Sequence, residues 1–232
     1  SRVTLGKDSC YHINNVVAAD EWAENVDDDA FTNGIAQLNL QCAARAAKAL
    51  GVEAYDRWEE VAARMKFWRF DDGVTREHAT YQGQDIKQCD VNLLAFPVKR
   101  ITDHDRILAD LDYYRKKLPE KDTPAMTQAI FSLLYARMGD RDMAWYYFQD
   151  AYKPNQLRPF GVIAECKGGT NPYFVTGAGG VLQTVLMGFG GLDIDYEQTG
   201  LRQVRSVMPG HWKSIRFTAI GPDRKEYVVY NR

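Results

Sequence analysis

The sequence predicts an all-α protein that ends in a short β element. Three observations carry this. Apolar residues recur at three- and four-residue spacing across most of residues 30–187, glycines and prolines cut that pattern into helix-length pieces, and strict alternation appears only near the C-terminus. Successive pieces are joined by short reversals and no repeat of fixed period is present, so paired helices in a toroid are expected rather than a solenoid array. The helical part is assigned to residues 1–195 and the β segment to residues 196–232.

Asp27, Asp28 and Asp29 precede a helix that runs to about Leu50, with Phe31, Ile35, Leu38 and Cys42 on one stripe and Gly51 as its stop. The three acids complement the positive end of the helix dipole and are given no catalytic role. A second helix over residues 53–67, carrying Tyr55, Trp58, Val61, Ala62 and Met65, completes a hairpin with the first. Asp103 caps a helix bearing Ile107, Leu108, Leu111 and Tyr114, and Thr123 with Pro124 opens another bearing Met126, Ile130 and Leu133. Gly139 and Asp140 reverse the chain into a helix over residues 141–152, whose inward residues are Ala144, Tyr147, Phe148 and Ala151. Residues 159–173 read as loop and extended chain, and Thr176 is expected to cap an apolar helix to about Met187. Gly177, Gly179 and Gly180 at its entry suit close packing better than phosphate binding. KSIRFTAI and KEYVVYN then alternate around a turn at residues 221–224.

Composition excludes several classes. Twenty-nine basic against 31 acidic residues in 232 give a net charge of −2, which offers no electrostatic footprint for nucleic acid or an anionic membrane. No apolar run approaches the roughly 18 residues of a membrane span. Cys10, Cys42, Cys89 and Cys166 form no CxxC pair and the four histidines show no ligand spacing, so neither metal, cofactor nor disulfide framework is expected. The compartment stays open. The start at Ser1, without Met, leads us to expect a processed piece of a longer chain.

The chemistry is concentrated in HINNVVAADEWAENVDDDAFTN, residues 12–33. Glu21 stands among Val16, Val17, Ala18, Ala19 and Trp22, an apolar setting expected to keep a carboxyl protonated and fit to act as a general acid. Trp22 and Tyr173 offer flat faces to a sugar, although aromatics at loop edges also serve as core anchors. Glu165, within FGVIAECKGGTNPYF, could aim an ionised carboxylate at a water as general base. Inverting glycoside hydrolysis needs two such carboxyls at about 6.5–9.5 Å. Cys166 lacks a histidine nearby in sequence and is read as a buried small residue rather than a nucleophile.

ADEWAENVDDDAFTN, DIKQCDVNLLAFP and FVTGAGGVLQTVLMGFGGL together resemble the family 65 glycoside hydrolases and phosphorylases. The resemblance implies that Glu21 is the general acid and that Lys87 and Gln88 hold the non-reducing glucose. It implies a place for Glu165 as the base of the hydrolase branch, upstream of TGAGGVLQ. That branch includes kojibiose-type α-glucosidases, acid trehalases and glucosylgalactosyl-hydroxylysine glucosidases. Ala23 departs from the family's common DEYHE pattern, where His stands, and this bears on contacts to the departing sugar.

The family's catalytic domain is an (α/α)6 barrel, and the resemblance implies that this chain supplies its second half, residues 1–195, and is inactive alone. A broad apolar edge would then be covered by the N-terminal remainder of the same protein or by a second copy. The implied function is exo-acting, inverting α-glucosidase chemistry on a glucosyl disaccharide or glycan. A phosphorylase releasing glucose 1-phosphate, or a noncatalytic carbohydrate-binding or interaction module on the same scaffold, are the alternatives.

Overall fold

A computed structural model describes residues 3–195 and 200–231. The chain forms two compact units, Ser1–Pro119 and Glu120–Arg232.

In the first unit, β1 (Thr4–Leu5) pairs antiparallel with β2 (Tyr11–His12) ahead of α1 (Ala30–Leu50). Asp29 caps α1, its carboxylate accepting the Thr32 N–H at 2.6 Å, and Gly51 ends it in the left-handed conformation at φ 66°. The buried face of α1 is not the predicted stripe. Asn33, Gly34, Gln37, Ala44 and Ala47 face inward, while Ile35 and Cys42 are exposed. Small and amide residues are selected there because the neighbouring chain comes close and presents carbonyls. The Asn33 amide donates to Lys66 O at 2.8 Å and the Gln37 amide to Ala62 O at 2.6 Å.

The second helix, α2, is shorter than expected, spanning Arg57–Ala63. The cause lies at its C-terminal end. Arg64 O accepts the Tyr11 N–H at 2.8 Å and the Lys66 N–H donates to Tyr11 O at 2.9 Å, so the chain leaves the helix to pair with β2. Met65 thereby joins Tyr11, Ile13 and Val61 in one buried cluster. A short α3 (Asp90–Leu93) and α4 (His104–Tyr114), capped by Asp103 as expected, complete the unit. The Tyr114 hydroxyl donates to Thr75 O at 2.7 Å, and Asp110 accepts both the N–H and the hydroxyl of Thr75, tying α4 to the loop before α3.

In the second unit, α5 (Ala125–Met138) is enclosed on nearly every side, and α6 (Arg141–Tyr152) folds back along it through Gly139 and Asp140. The four inward residues predicted for α6 are all buried. Two small hairpin strands follow, β3 (Gln156–Leu157) and β4 (Val162–Ile163). Next comes α7 (Val175–Gln183), which continues as a π-helical turn over Thr184–Phe189. Its cap is Phe174 and not Thr176, which lies inside the first turn. Gly177 and Gly180 serve packing, since a Cβ on Gly180 would meet Ala129 Cβ at 2.8 Å and one on Gly177 would meet Ala125 Cβ at 3.0 Å, whereas Gly179 faces open space. The Thr184 hydroxyl fastens the contact by donating to Ala129 O at 2.9 Å. Two antiparallel pairs close the chain, β5 (Leu192–Asp195) with β6 (Gly200–Gln203) and β7 (Ser214–Ile220) with β8 (Lys225–Tyr230). The last pair is the expected terminal hairpin, with a bulge between Phe217 and Ile220.

Candidate active site

Residues 16–26 form a narrow loop pinned at its base by mutual backbone hydrogen bonds between Val16 and Val26 and by Ala18 N–H to Ala23 O at 3.0 Å. Ala18, Ala23 and Val26 bury together beneath it. That leaves Glu21 and Trp22 at the tip. Trp22 is 53% exposed, as is the larger part of Tyr173 in the other unit, so neither aromatic is a core anchor.

The tip is held by the segment that carries the other predicted sugar ligands. Asp20, buried behind the tip, accepts the N–H of Trp22 at 3.2 Å and of Lys87 at 3.0 Å on one carboxylate oxygen, and it also takes the backbone N–H of Gln88. In return the Gln88 side-chain carbonyl accepts the Glu21 N–H at 3.1 Å. Lys87 Nζ reaches Glu21 Oε2 at 2.5 Å. Glu21, Trp22, Lys87 and Gln88 are therefore neighbours, although Glu21 and Lys87 are 66 positions apart in sequence. The Glu21 side chain is 60% exposed and ion-paired, which corrects the apolar setting expected from its sequence neighbours. Val17 and Trp22 turn outward, while Ala18 and Ala23 go in.

Behind Asp20 lies a group of buried acids to which the sequence assigned no part in the site. Glu77, Asp29 and Asp90 are buried with Asp20, at the start of α1 and α3. Among the described residues, no N–H or hydroxyl donor reaches Glu77 Oε1, Asp29 Oδ2 or either Asp90 oxygen; Glu77 instead hydrogen-bonds Asp20, and Asp90 hydrogen-bonds Asp29. Such carboxyl–carboxyl contacts require a proton between them. Burial, then the neighbouring Asp20 charge, pushes Glu77 up to about 9, and burial followed by Asp29 raises Asp90 well above the carboxylate range. Burial also raises Asp20, against three backbone N–H bonds that pull it down. Asp28 is buried too, accepting from Trp68 Nε1 at 3.0 Å and meeting His12 Nδ1 at 2.7 Å, so the acids before α1 are structural partners and not only complements of its dipole. The signal available in sequence was weak: Asp20 and Asp90 sit inside the two motif blocks, whereas nothing around Glu77 in TREH marks it.

Glu165 lies in the second unit, half-buried between β4 and α7. Its carbonyl accepts the Ala125 N–H at 2.7 Å at the start of α5, and its carboxylate takes the Asn171 amide at 3.4 Å. Cys166 is half-buried, its thiol donating to Asp122 O at 3.2 Å, and all four cysteines are free thiols. Among the described residues, no group of three or more His, Cys, Asp or Glu is placed to hold a metal ion, and no helix is long and apolar enough to cross a membrane.

Comparison with known proteins gives this geometry relatives. Residues 1–85 match the glycosyl hydrolase family 65 central catalytic domain. Kojibiose hydrolases of Mucilaginibacter mallensis and Flavobacterium johnsoniae are each 57% identical over 229 residues, 99% of this chain and 34% of theirs. The protein-glucosylgalactosylhydroxylysine glucosidase of Danio rerio is 33% identical over 204 residues, 85% of this chain and 30% of its own. The chain thus spans about a third of the length of the curated relatives it matches. In fold, a solved human-microbiome protein named as a kojibiose phosphorylase superposes with a TM-score of 0.70 at 15% identity, over 94% of this chain and 35% of that one, a likeness consistent with an (α/α)6 barrel. A family match over residues 1–85 and relatives aligned along nearly the whole chain make this protein similar to the glycoside hydrolases of family 65.

Proposed function

We propose that this chain forms the second half of the (α/α)6 catalytic barrel, with a β segment from residue 196, of an inverting, exo-acting α-glucosidase. Its substrate in this reading is a glucosyl disaccharide or a glucosylated glycan, the chemistry named by its hydrolase and glucosidase relatives. The observation that carries the reading is the reciprocal clamp between Asp20–Glu21–Trp22 and Lys87–Gln88, which places a carboxyl, an ammonium, an amide and an indole at one exposed tip. Those are the groups that bind sugar hydroxyls, cover a sugar face and protonate a glycosidic oxygen.

In the reaction, Glu21 gives its proton to the departing oxygen while the bond from that oxygen to the anomeric carbon breaks. Water attacks the opposite face and Glu165 takes its proton, leaving a β-configured glucose and the free acceptor. Glu21 must be protonated to start, so the Lys87 ammonium has to leave its oxygen. The glucose hydroxyls are the partners that draw Lys87 away, which couples substrate recognition to arming of the acid. The remaining partner of the half-barrel is either the rest of the same protein or a second copy, and sedimentation of the intact protein separates the two.

The test is NMR of the products from a panel of α-linked glucosyl disaccharides, run on the intact protein with and without phosphate. We expect β-glucose as the first-formed product and no dependence on phosphate. Glucose 1-phosphate formed only with phosphate would overturn the hydrolase in favour of a phosphorylase, and binding without turnover would favour a noncatalytic module.

A further inference from the structure

The Asp20 clamp is itself met from below by the Glu77 carboxyl. Glu77 is 2% exposed, and its backbone carbonyl accepts the Ala30 N–H at 2.7 Å, which seats it on the first turn of α1. From there its carboxyl meets that of Asp20. The two differ in what else reaches them. Asp20 collects three backbone N–H groups, the environment of an ionised carboxylate, whereas Glu77 Oε1 collects none. The shared proton therefore belongs on Glu77, which becomes the donor, and Asp20 the acceptor.

Resting on the proposed roles of Glu21, Lys87 and Gln88, we propose that Glu77 is a positioning residue: as a neutral carboxylic acid it donates a hydrogen bond to Asp20, fixes that carboxylate against the backbone of Trp22, Lys87 and Gln88, and so sets the acid against its sugar ligands. Loss of the Glu77 proton turns this bond into a repulsion between two buried anions and releases the clamp, which gives the site an alkaline limit. The groups facing Glu77 reinforce this. Asp20 from the loop and Asp29 at the cap of α1 disfavour its ionisation, Asp90 on α3 is itself raised by burial and by the Asp29 and Glu77 charges, and the Tyr81 and Tyr114 hydroxyls are pushed up by burial and stay neutral. His78 beside it is held down by burial, so it brings no positive charge at alkaline pH, and the Arg76 guanidinium donates to the Ala79 and Tyr81 carbonyls.

Two variants of the intact protein separate this role from simple core packing. Glu77→Gln keeps a donor toward Asp20 and cannot ionise; Glu77→Leu fills the space without a donor. Hydrogen exchange of the Lys87 and Gln88 amides, corrected for intrinsic rates, reads the clamp directly. In the parent, protection is expected to fall as pH rises through about 9, the range to which Glu77 is pushed. In Glu77→Gln it should stay flat across that range, with neutral-pH kcat/KM within about twofold of the parent. Glu77→Leu should lose at least tenfold in protection and about 100-fold in kcat/KM, the scale of a misplaced catalytic group. Infrared spectra at neutral pH should show a protonated-carboxyl band that Glu77→Gln removes. A Glu77→Gln protein whose protection still collapses at alkaline pH, or a spectrum in which no such band is lost, overturns the inference; so does a folded Glu77→Leu protein with parental protection. Should Glu77→Leu fail to fold, the Glu77→Gln exchange and infrared results decide. Exchange and infrared do not depend on turnover, so a failure of the glucosidase reading, seen as a Glu21→Gln protein that hydrolyses normally, would be distinguishable.

Discussion

Glu21 carries its charge in the open, against the Lys87 ammonium, and this separates its chemistry from the stability of the fold. Glu21→Gln is expected to lower kcat by about 10²–10⁴, the usual contribution of a general acid, with a thermal midpoint indistinguishable from the parent in a melting scan. Lys87→Met should instead weaken substrate binding by about 1.5–3 kcal/mol, the worth of a hydrogen bond from a charged donor, read as a raised KM. The contacts of Glu21 with Lys87 and Gln88 were legible only through the motif resemblance, because periodicity cannot bring positions 66 residues apart to one point. The environment of Glu21 was misjudged from its neighbours for a related reason. In a tight loop adjacent side chains diverge, so Ala18 and Ala23 go inward while Val17 and Trp22 leave the acid in water.

At the scale of the element, what was readable depended on how each helix is covered. Helix α6 has one apolar face and one wet face, and its inward residues follow from spacing alone. Helix α1 hides a face of Asn33, Gly34, Gln37 and alanines, because it lies against carbonyls and a close neighbour, and a search for large apolar residues selects the wrong side. Helix α2 ends early because β2 competes for Arg64 and Lys66, a contest that local propensity does not register. The close approach of α7 to α5 makes the strongest prediction here. Gly180→Ala would set two Cβ atoms 2.8 Å apart on rigid backbones, so the helices must separate. A loss of about 1–3 kcal/mol is expected from overpacking, measured by chemical denaturation, and Gly179→Ala, which faces open space, serves as the control.

For the molecule as a whole, the buried acids tilt stability toward mildly acidic conditions. Unfolded, Glu77 releases its proton near its ordinary value of about 4.5, whereas folded it keeps it to about 9; between these limits the native state holds the extra proton and stability falls as pH rises. His12 acts in the same direction. Its hydrogen bond to Asp8, opposed by burial and helped by Asp28, raises it above 6.5, and the stabilisation present below that value is lost as pH passes through the raised one. Asp8 works oppositely on the acid side: its hydrogen bonds from Lys66 and His12 hold it below the ordinary carboxylate range, so its contribution is present above 3.8 and disappears as pH falls through the lowered value. Melting temperatures should therefore decline from about pH 5 to about pH 9, and Glu77→Gln should flatten that decline.

Helix α5 has a further consequence for how the polypeptide is made. It is rich in apolar residues and buried around nearly its whole circumference, and the helices that enclose it, α6 and α7, both come after it along the chain. A ribosome that has delivered residues 120–140 has released a largely apolar helix with nothing yet to shield it. Stalled nascent chains ending near residue 160 should stay protease-sensitive and recruit chaperone, and those extended beyond Phe189 should become resistant, so that vectorial synthesis holds this half of the chain open until its last helical cover emerges.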